Sequence, residues 1–272
     1  MSEDTRWREI APAKVNLALH VRGKLPDGRH AIETVFAFCI DGDRLSAGSA
    51  NELELTVEGP FAADVGESDD NLVIRAARAL AEEAGVECNA SLWLEKNLPL
   101  AAGLGGGSAD AGAALRLLTA TWGVDPAHAS TVAPRLGADV PACLLSMTCR
   151  GEGAGDQLQL IDDPTIAGTP VLLVNPGVGL STRAVFDAWN APDLGPLGGW
   201  RDGRNDLEAP AAALVPQIAE VLTWLGRRPG VQLTRMSGSG ATCFALFTDE
   251  ASRDRAAATV PEQWWRLATT LR

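Results

Sequence analysis

The sequence predicts an α+β fold divided into two domains, and three observations carry that expectation. Strand-like and helix-like segments come in mixed runs with no strict βαβ alternation. From Arg150 to about Thr169 the chain turns Gly/Asp/Pro-rich and loses periodicity, which sets a boundary near residue 155 and gives domains 1–155 and 156–272. At 272 residues the chain is long enough for two modest hydrophobic cores.

The elements follow in chain order. Residues 15–21 and 32–40 are apolar, rich in β-formers and bracketed by the turn sequences Pro26-Asp27-Gly28 and Asp41-Gly42-Asp43, so both read as strands. Residues 52–58 set Leu53, Leu55 and Val57 against Glu and Thr, the alternation of a half-buried strand. Asp70-Asn71 opens an amphipathic helix that runs to about Ala84 and stops at Gly85. A short strand over 91–95 precedes a glycine run. The Ala/Leu-rich helix after it spans 108–122, with Ser108 suited to cap its start and Gly123 to end it. A short helix over 128–136 delivers Gly137-Ala138-Asp139-Val140-Pro141, and 143–149 reads as a returning strand. Beyond the boundary come a strand at 171–174, a helix at 183–189, an irregular Gly/Pro/Trp-rich stretch over 191–204 and one long helix across 211–225. Strands at 231–235 and 242–247 flank a second glycine loop, Ser237-Gly238-Ser239-Gly240, and a helix near 252–259 and a terminal strand follow.

Composition excludes several partners. A net charge of −12, from 35 acidic and 23 basic residues, sets up a field that repels nucleic acid and anionic membranes. Any affinity for phosphate must then be local, built from backbone donors, one or two placed lysines and a divalent cation. Cys39, Cys88, Cys143, Cys149 and Cys243 form no CxxC pair and no zinc spacing, as expected of reduced thiols in a cytoplasmic protein with no metal-ligand set of its own. The opening Met-Ser-Glu-Asp-Thr-Arg is too polar and acidic for a signal peptide, and no apolar run reaches the length of a membrane span. Tyrosine is absent, while there are eight tryptophans.

The most informative stretch is Pro99-Leu100-Ala101-Ala102-Gly103-Leu104-Gly105-Gly106-Gly107-Ser108-Ala109. Its glycines leave backbone N–H groups uncovered, and the helix that follows turns its positive dipole end and unpaired donors on the same spot. The phosphates of a nucleotide triphosphate suit that geometry. Two common phosphate loops do not fit. A Walker loop needs Gly-Lys-[Ser/Thr], and no Lys follows these glycines. A dinucleotide fingerprint needs its glycines directly after the strand, whereas Asn97-Leu98-Pro99-Leu100-Ala101-Ala102 intervenes.

The run from Pro99 to Ser108 resembles the ATP-binding motif of the GHMP kinase superfamily. Pro12-Ala13-Lys14-Val15-Asn16 and Met236-Ser-Gly-Ser-Gly-Ala-Thr242 are similar to its two other motifs, in the family's order. Asp27-Gly-Arg29-His30, Asp41-Gly-Asp43 and Leu136-Gly-Ala-Asp139-Val-Pro141 narrow the resemblance to the branch whose acceptor is a cytidine diphosphate-linked methylerythritol. It covers essentially the whole chain. The resemblance implies a two-domain GHMP kinase fold with the active site in the cleft between an ATP-binding N-terminal domain and a substrate-side C-terminal domain. It implies ATP-dependent phosphorylation of the acceptor's 2-hydroxyl, with Mg²⁺ accompanying ATP, in the non-mevalonate route to isoprenoid precursors. It leaves the oligomeric state open.

Roles follow from the same resemblance. Asp139 is the general base for the acceptor hydroxyl, and Lys14 brings positive charge to the ionised aspartate and the transferring phosphoryl group. Residues 99–109 wrap the phosphates, with Ser108 on phosphate or Mg²⁺, and Asn71 and Lys96 adjoin the adenine. Asn16 and His30 face the cytidine diphosphate half, since an amide and an imidazole can both hydrogen-bond a cytosine edge. Phe186 stacks on the base. Family members usually carry Tyr before the motif histidine; this chain has Arg29, whose guanidinium can also stack on a base or pair a phosphate. Ala109 stands where a second serine is usual. Residues 237–240 are expected to support the phosphate region. Two alternatives keep the fold: a different acceptor such as homoserine, mevalonate or a sugar, or a catalytically silent nucleotide-binding regulator, against which Lys14 and Asp139 both stand.

Overall fold

Two long strands set the frame. β1 (Trp7–Lys24) and β2 (His30–Gly48) run for 18 and 19 residues. They extend well past the expected 15–21 and 32–40 because Asp41-Gly42-Asp43 stays in the strand and makes no turn. A β-carbon on Gly42 would lie 2.0 Å from the carbonyl oxygen of Ala11. Glycine is there to let two backbones approach, not to bend one. The computed structural model describes residues 7–65 and 70–272; the polar start, read above as unlike a signal peptide, lies outside them.

The remaining elements are β3 (Leu53–Glu58), α1 (Leu72–Ala84), β4 (Ala90–Glu95), α2 (Gly106–Trp122), α3 (Pro126–Leu136), α4 (Val140–Leu145), β5 (Cys149–Glu152) and β6 (Gln157–Leu160). After them come β7 (Pro170–Asn175), α5 (Thr182–Ala188), α6 (Glu208–Leu214), α7 (Gln217–Gly226), β8 (Val231–Met236), β9 (Cys243–Phe247), α8 (Glu250–Ala257) and β10 (Trp265–Thr270). The chain forms two compact units that interleave along the sequence. The first holds the described residues of 1–13, 41–100 and 105–146, the second 14–40, 101–104 and 147–272. β1 and β2 contribute to both, a division different in kind from a single cut near residue 155.

In the first unit β4 lies parallel to β3 and antiparallel to the C-terminal half of β2, with Arg44 opposite Glu95. A parallel pair needs a long crossover, which α1 provides. The Asn71 side chain accepts from the Val73 amide and caps α1, and Gly85 ends it. Val73, Ala76, Ala77, Leu80 and Ala81 form its buried stripe. Helix α2 is buried on nearly every face between Ala109 and Leu118, as befits a helix at the centre of a unit. It begins two residues earlier than expected. Gly105, at φ 64°, is its N-cap and Ser108 is its third residue, so no side chain caps the first turn. The returning strand expected over 143–149 is absent there: Val140–Leu145 is helical, and β5 begins only at Cys149. Pro141 in the first turn favours that helix, and a short apolar run alone does not distinguish helix from strand.

In the second unit the N-terminal half of β2 pairs with β5, and β5 with β6, which lies inside the stretch expected to be irregular. Four further strands form an antiparallel sheet in the order β10-β7-β9-β8. Its core joins Leu172, Val174 and Phe247 to Val221 and Leu225 of α7. The single helix expected over 211–225 is broken into α6 and α7 at Val215-Pro216, where Val215 leaves the helical region at φ −131° and ψ 87°. Proline pushes the residue before it out of the α region and has no N–H to continue the ladder. Among the described residues no helix is long and apolar enough to cross a membrane.

Candidate active site

In the second unit, hydrogen bonds gather three distant segments. Lys14 is only 3% exposed. Its Nζ donates to Asn16 Oδ1 at 2.8 Å and lies 4.7 Å from the centre of the Phe36 ring. A buried ammonium is tolerated when such contacts replace water. The Lys14 amide donates to the Leu104 carbonyl at 3.0 Å. Asn16 donates through Nδ2 to Thr34 Oγ1 at 2.8 Å and through its amide to Ser237 Oγ at 3.1 Å. Ser237 Oγ then donates to the Gly103 carbonyl at 3.0 Å, and the Thr242 amide to that of Ala102 at 3.1 Å. Gly103, at φ 74°, is pressed so closely that a β-carbon would sit 2.4 Å from the Ser237 carbonyl oxygen. The second glycine loop therefore backs the first, as expected. Burial pushes the nearby Cys149 thiol up to about 11, with Lys14 pulling the other way, so this cysteine stays protonated.

Past Leu104 the chain turns on Gly105 into α2, in the first unit, where a buried ionic cluster underlies the helix start. Lys96 Nζ donates to Asp43 Oδ2, and to Asp110 Oδ2 at 2.7 Å. Asp43 Oδ1 accepts from the amides of Asn97 at 2.5 Å and Leu98 at 2.8 Å, which fixes the chain entering the first glycine loop. Burial, reinforced by the Asp43 charge and opposed by Lys96, pushes the Asp110 carboxyl up to about 8. Burial works against the Lys96 charge, but the two aspartates outweigh it and hold the ammonium above its ordinary value. A proton on Asp110 leaves the three groups neutral together. Asp110 Oδ1 has no hydrogen-bond partner among the described residues. Asn71, Leu72, Lys96, Leu100, Gly107 and Asp110 line a cavity of about 140 Å³, so four positions expected to hold the nucleotide share one pocket.

The Asp110 proton has a consequence for stability. The folded chain holds it up to about pH 8, and the unfolded chain only below the ordinary value of 3.8. This contribution is fully present below the unfolded value and is lost as pH rises through the folded one. Relative to Asp110→Asn, which stays neutral, the native chain is expected to lose melting temperature steadily from about pH 5 to about pH 8. Parallel melting profiles for the two proteins would remove the buried proton from the account.

Asp139 is half-buried and directly precedes α4, with helical backbone angles (φ −83°, ψ −14°) and no capping bond from its side chain. The helix it leads is anchored from α2: Arg116 donates to the carbonyls of Cys143 at 2.6 Å and Leu144 at 3.2 Å. Arg116 also bonds Glu9 Oε1 at 2.9 Å and the Ile10 carbonyl at 3.0 Å.

His30 heads β2 in the second unit. Its ring stacks on Phe186 with centroids 4.8 Å apart and planes at 23°, while Trp189 meets it edge-on at 5.7 Å and 86°. Burial and the Lys24 charge lower the His30 pKa, against Asp187, so the ring is neutral at pH 7 and offers one donor and one acceptor. Arg29 does not stack on this cluster. Its amide and Nε donate to the Asp27 carboxylate at 3.0 and 2.7 Å, and Nη1 lies 3.7 Å from Asp156. The guanidinium closes the turn that presents His30.

Several residues escaped the sequence reading. Arg235 is buried and donates to the carbonyls of Leu17 and Gly203, and to that of Trp200 at 3.1 Å. Burial lowers its pKa against Glu208. Asn205 donates to the carbonyls of Met236 and Gly238, both at 2.8 Å, and so shapes the second glycine loop. Asp43 stood inside a quoted motif without a role, and Asp110 follows the glycine loop directly; nothing in the sequence tied either to Lys96.

Loops and fold together define a class of protein. Residues 71–147 match the GHMP kinases N terminal domain and residues 190–265 the GHMP kinases C terminal model, on the two-domain α+β architecture expected. The chain is 51% identical to the 4-diphosphocytidyl-2-C-methyl-D-erythritol kinase of Rhizorhabdus wittichii, over 97% of this chain and 94% of that one. It is 50% identical to the protein of the same name from Novosphingobium aromaticivorans, over 97% and 93%. A crystal structure of 4-(cytidine 5'-diphospho)-2C-methyl-D-erythritol kinase superposes with a TM-score of 0.83 at 34% identity, covering 97% of this chain and 99% of the other. Homoserine kinase from Cytophaga hutchinsonii shares the fold, with a TM-score of 0.72 at 15% identity over 100% and 96%. The chain belongs to the 4-diphosphocytidyl-2-C-methyl-D-erythritol kinase family of the GHMP kinases.

Proposed function

We propose that this chain transfers the γ-phosphate of ATP to the 2-hydroxyl of 4-diphosphocytidyl-2-C-methyl-D-erythritol, in the non-mevalonate synthesis of isoprenoid precursors. The observation that carries the reading is the 51% identity to an enzyme of that name along nearly the whole chain. The joining of Lys14, Asn16, Gly103 and Ser237 in one hydrogen-bonded cluster supports it. Residues 1–155 would then bind the nucleotide and lend Asn16 and His30 to the acceptor, with 156–272 supplying Phe186. The five unbridged cysteines fit a cytoplasmic setting.

Phosphoryl transfer asks the protein for position and charge more than for covalent work. Residues 99–109 and the uncapped first turn of α2 offer backbone N–H groups to the phosphates, where the helix dipole favours negative charge. The Ser108 hydroxyl would be a protein contact for Mg²⁺ accompanying ATP, which would supply charge neutralisation at the phosphates. Asn71 and Lys96, on the cavity above, take the adenine side. Lys14 stabilises the charge that builds on the transferring group. Asp139 accepts the proton of the acceptor hydroxyl. Asn16, His30 and Phe186 hold the cytidine diphosphate half.

The test is ADP release from Mg-ATP with the cytidyl acceptor, homoserine and mevalonate offered in parallel. Turnover on the cytidyl acceptor alone is expected, and strong turnover on another acceptor, or none on any, would sink the reading. Arg29 works here by fixing the turn before His30, so Arg29→Ala should raise the acceptor KM by only about twofold to fivefold, the scale of one hydrogen bond. An ATP KM that moves with it would place Arg29 elsewhere.

A further inference from the structure

Trp189 holds a polar group that the roles above leave unused. The residue ends α5 and packs, partly buried, against the core of the second unit. Its indole Nε1 is sealed from solvent yet meets no acceptor among the described residues. A buried donor left unpaired costs free energy, and buried tryptophan N–H groups ordinarily find a partner. The carbonyls of Val185 and Phe186, in the nearest turn of α5, accept from the Trp189 backbone amide at 3.1 and 3.2 Å and not from its indole.

The imidazole beside it is also without a partner: neither ring nitrogen of His30 is hydrogen-bonded among the described residues. Phe186 lies parallel to the His30 face, and Trp189 stands across its edge. The three rings thus form one cluster that holds an indole donor, an imidazole donor and acceptor, and a flat apolar face. A planar heteroaromatic ring with acceptor atoms on its edge answers all of these at once. Arg29 is committed to Asp27, and the chain has no tyrosine, so tryptophan is the amphipathic ring at hand.

We propose that Trp189 is a specificity-determining residue of the acceptor slot: its indole N–H donates to an acceptor atom on the edge of the acceptor's pyrimidine base. This rests on the assignment of His30 and Phe186 to the acceptor given above. A base that stacks on Phe186 and turns its edge to His30 and Trp189 gives the indole N–H the acceptor it lacks, so part of the binding free energy comes from relieving an unpaired donor.

The experiment compares the native chain, Trp189→Phe, Trp189→Leu and His30→Ala in steady-state assays with ATP and the cytidyl acceptor. Trp189→Phe keeps an aromatic ring while deleting the donor, so the acceptor KM should rise about fivefold. Trp189→Leu also removes the aromatic wall and should raise it further, with kcat and the ATP KM within about twofold of native in both. An acceptor KM unchanged in both Trp189 variants while His30→Ala raises it overturns the proposal and leaves the slot standing. No effect from His30 or Trp189 in a native chain that turns over removes the slot and the proposal together. No turnover by the native chain on the cytidyl acceptor removes the functional reading beneath both. An ATP KM that rises in step with the acceptor KM marks Trp189 as structural and also overturns the proposal. If the Leu variant does not fold, Trp189→Phe with a native melting temperature decides alone.

Discussion

Replacing Asp139 with Asn is expected to lower kcat by roughly 10²–10⁴ with the acceptor KM within about twofold of native, measured by ADP release. The amide has the size and hydrogen-bonding reach of the carboxyl but cannot take a proton. The backbone at Asp139 is ordinary helix and its side chain caps nothing, so α4 should form in the variant as it does in the native chain. Arg116 holds the far end of that helix regardless. Because a loose phosphoryl-transfer transition state needs little base assistance, a loss near the lower end would mark a carboxylate that chiefly orients the hydroxyl. A native rate in Asp139→Asn would remove the residue from the mechanism.

The second large effect concerns stability. Lys96→Met strips the ammonium from the buried cluster and leaves Asp43 and Asp110 facing each other. Breaking a buried pair from one side typically costs about 3–5 kcal/mol, so a calorimetric melting temperature should fall by on the order of 10 °C at neutral pH. Adding Asp43→Asn to Lys96→Met should cost less than the sum of the single changes, since both act on one network. A melting temperature unmoved by Lys96→Met would show that the cluster holds nothing together. The ATP KM should rise in the same variant, because Asp43 also holds the Asn97 and Leu98 amides at the loop entrance.

What could be read from the sequence was whatever the backbone demands of particular residue types. The glycines at 103–107 announce exposed amides, Asn71 and Gly85 bound α1, and the three ordered motifs identify the superfamily. The misreadings share a cause, which is that local composition is silent about what comes alongside. Asp41-Gly42-Asp43 has the make-up of a turn, yet Gly42 serves a close strand crossing with Ala11. Ser108 is a good capping residue, but Gly105 opens the helix first. Pro216 was in plain view and should have divided 211–225, since its effect on Val215 is local. The candidate site divides in the same way. Lys14, Asn16 and the loop were legible from motifs. The partners of Lys96, the clamp of Arg235 and the unpaired indole of Trp189 depend on packing between segments that share no pattern.

The hydrogen bond between the Asn16 amide and Ser237 Oγ joins positions 221 residues apart, and Ser237 in turn holds the carbonyl of Gly103. On the ribosome the N-terminal motif and the first glycine loop emerge long before the segment that braces them. The loop can reach its working shape only after residue 237 has been made, since domains fold during translation as their partners become available. Closing so long a span also makes this among the slower contacts to form. A chain interrupted before residue 237 would carry every residue of the first glycine loop without the support that shapes it.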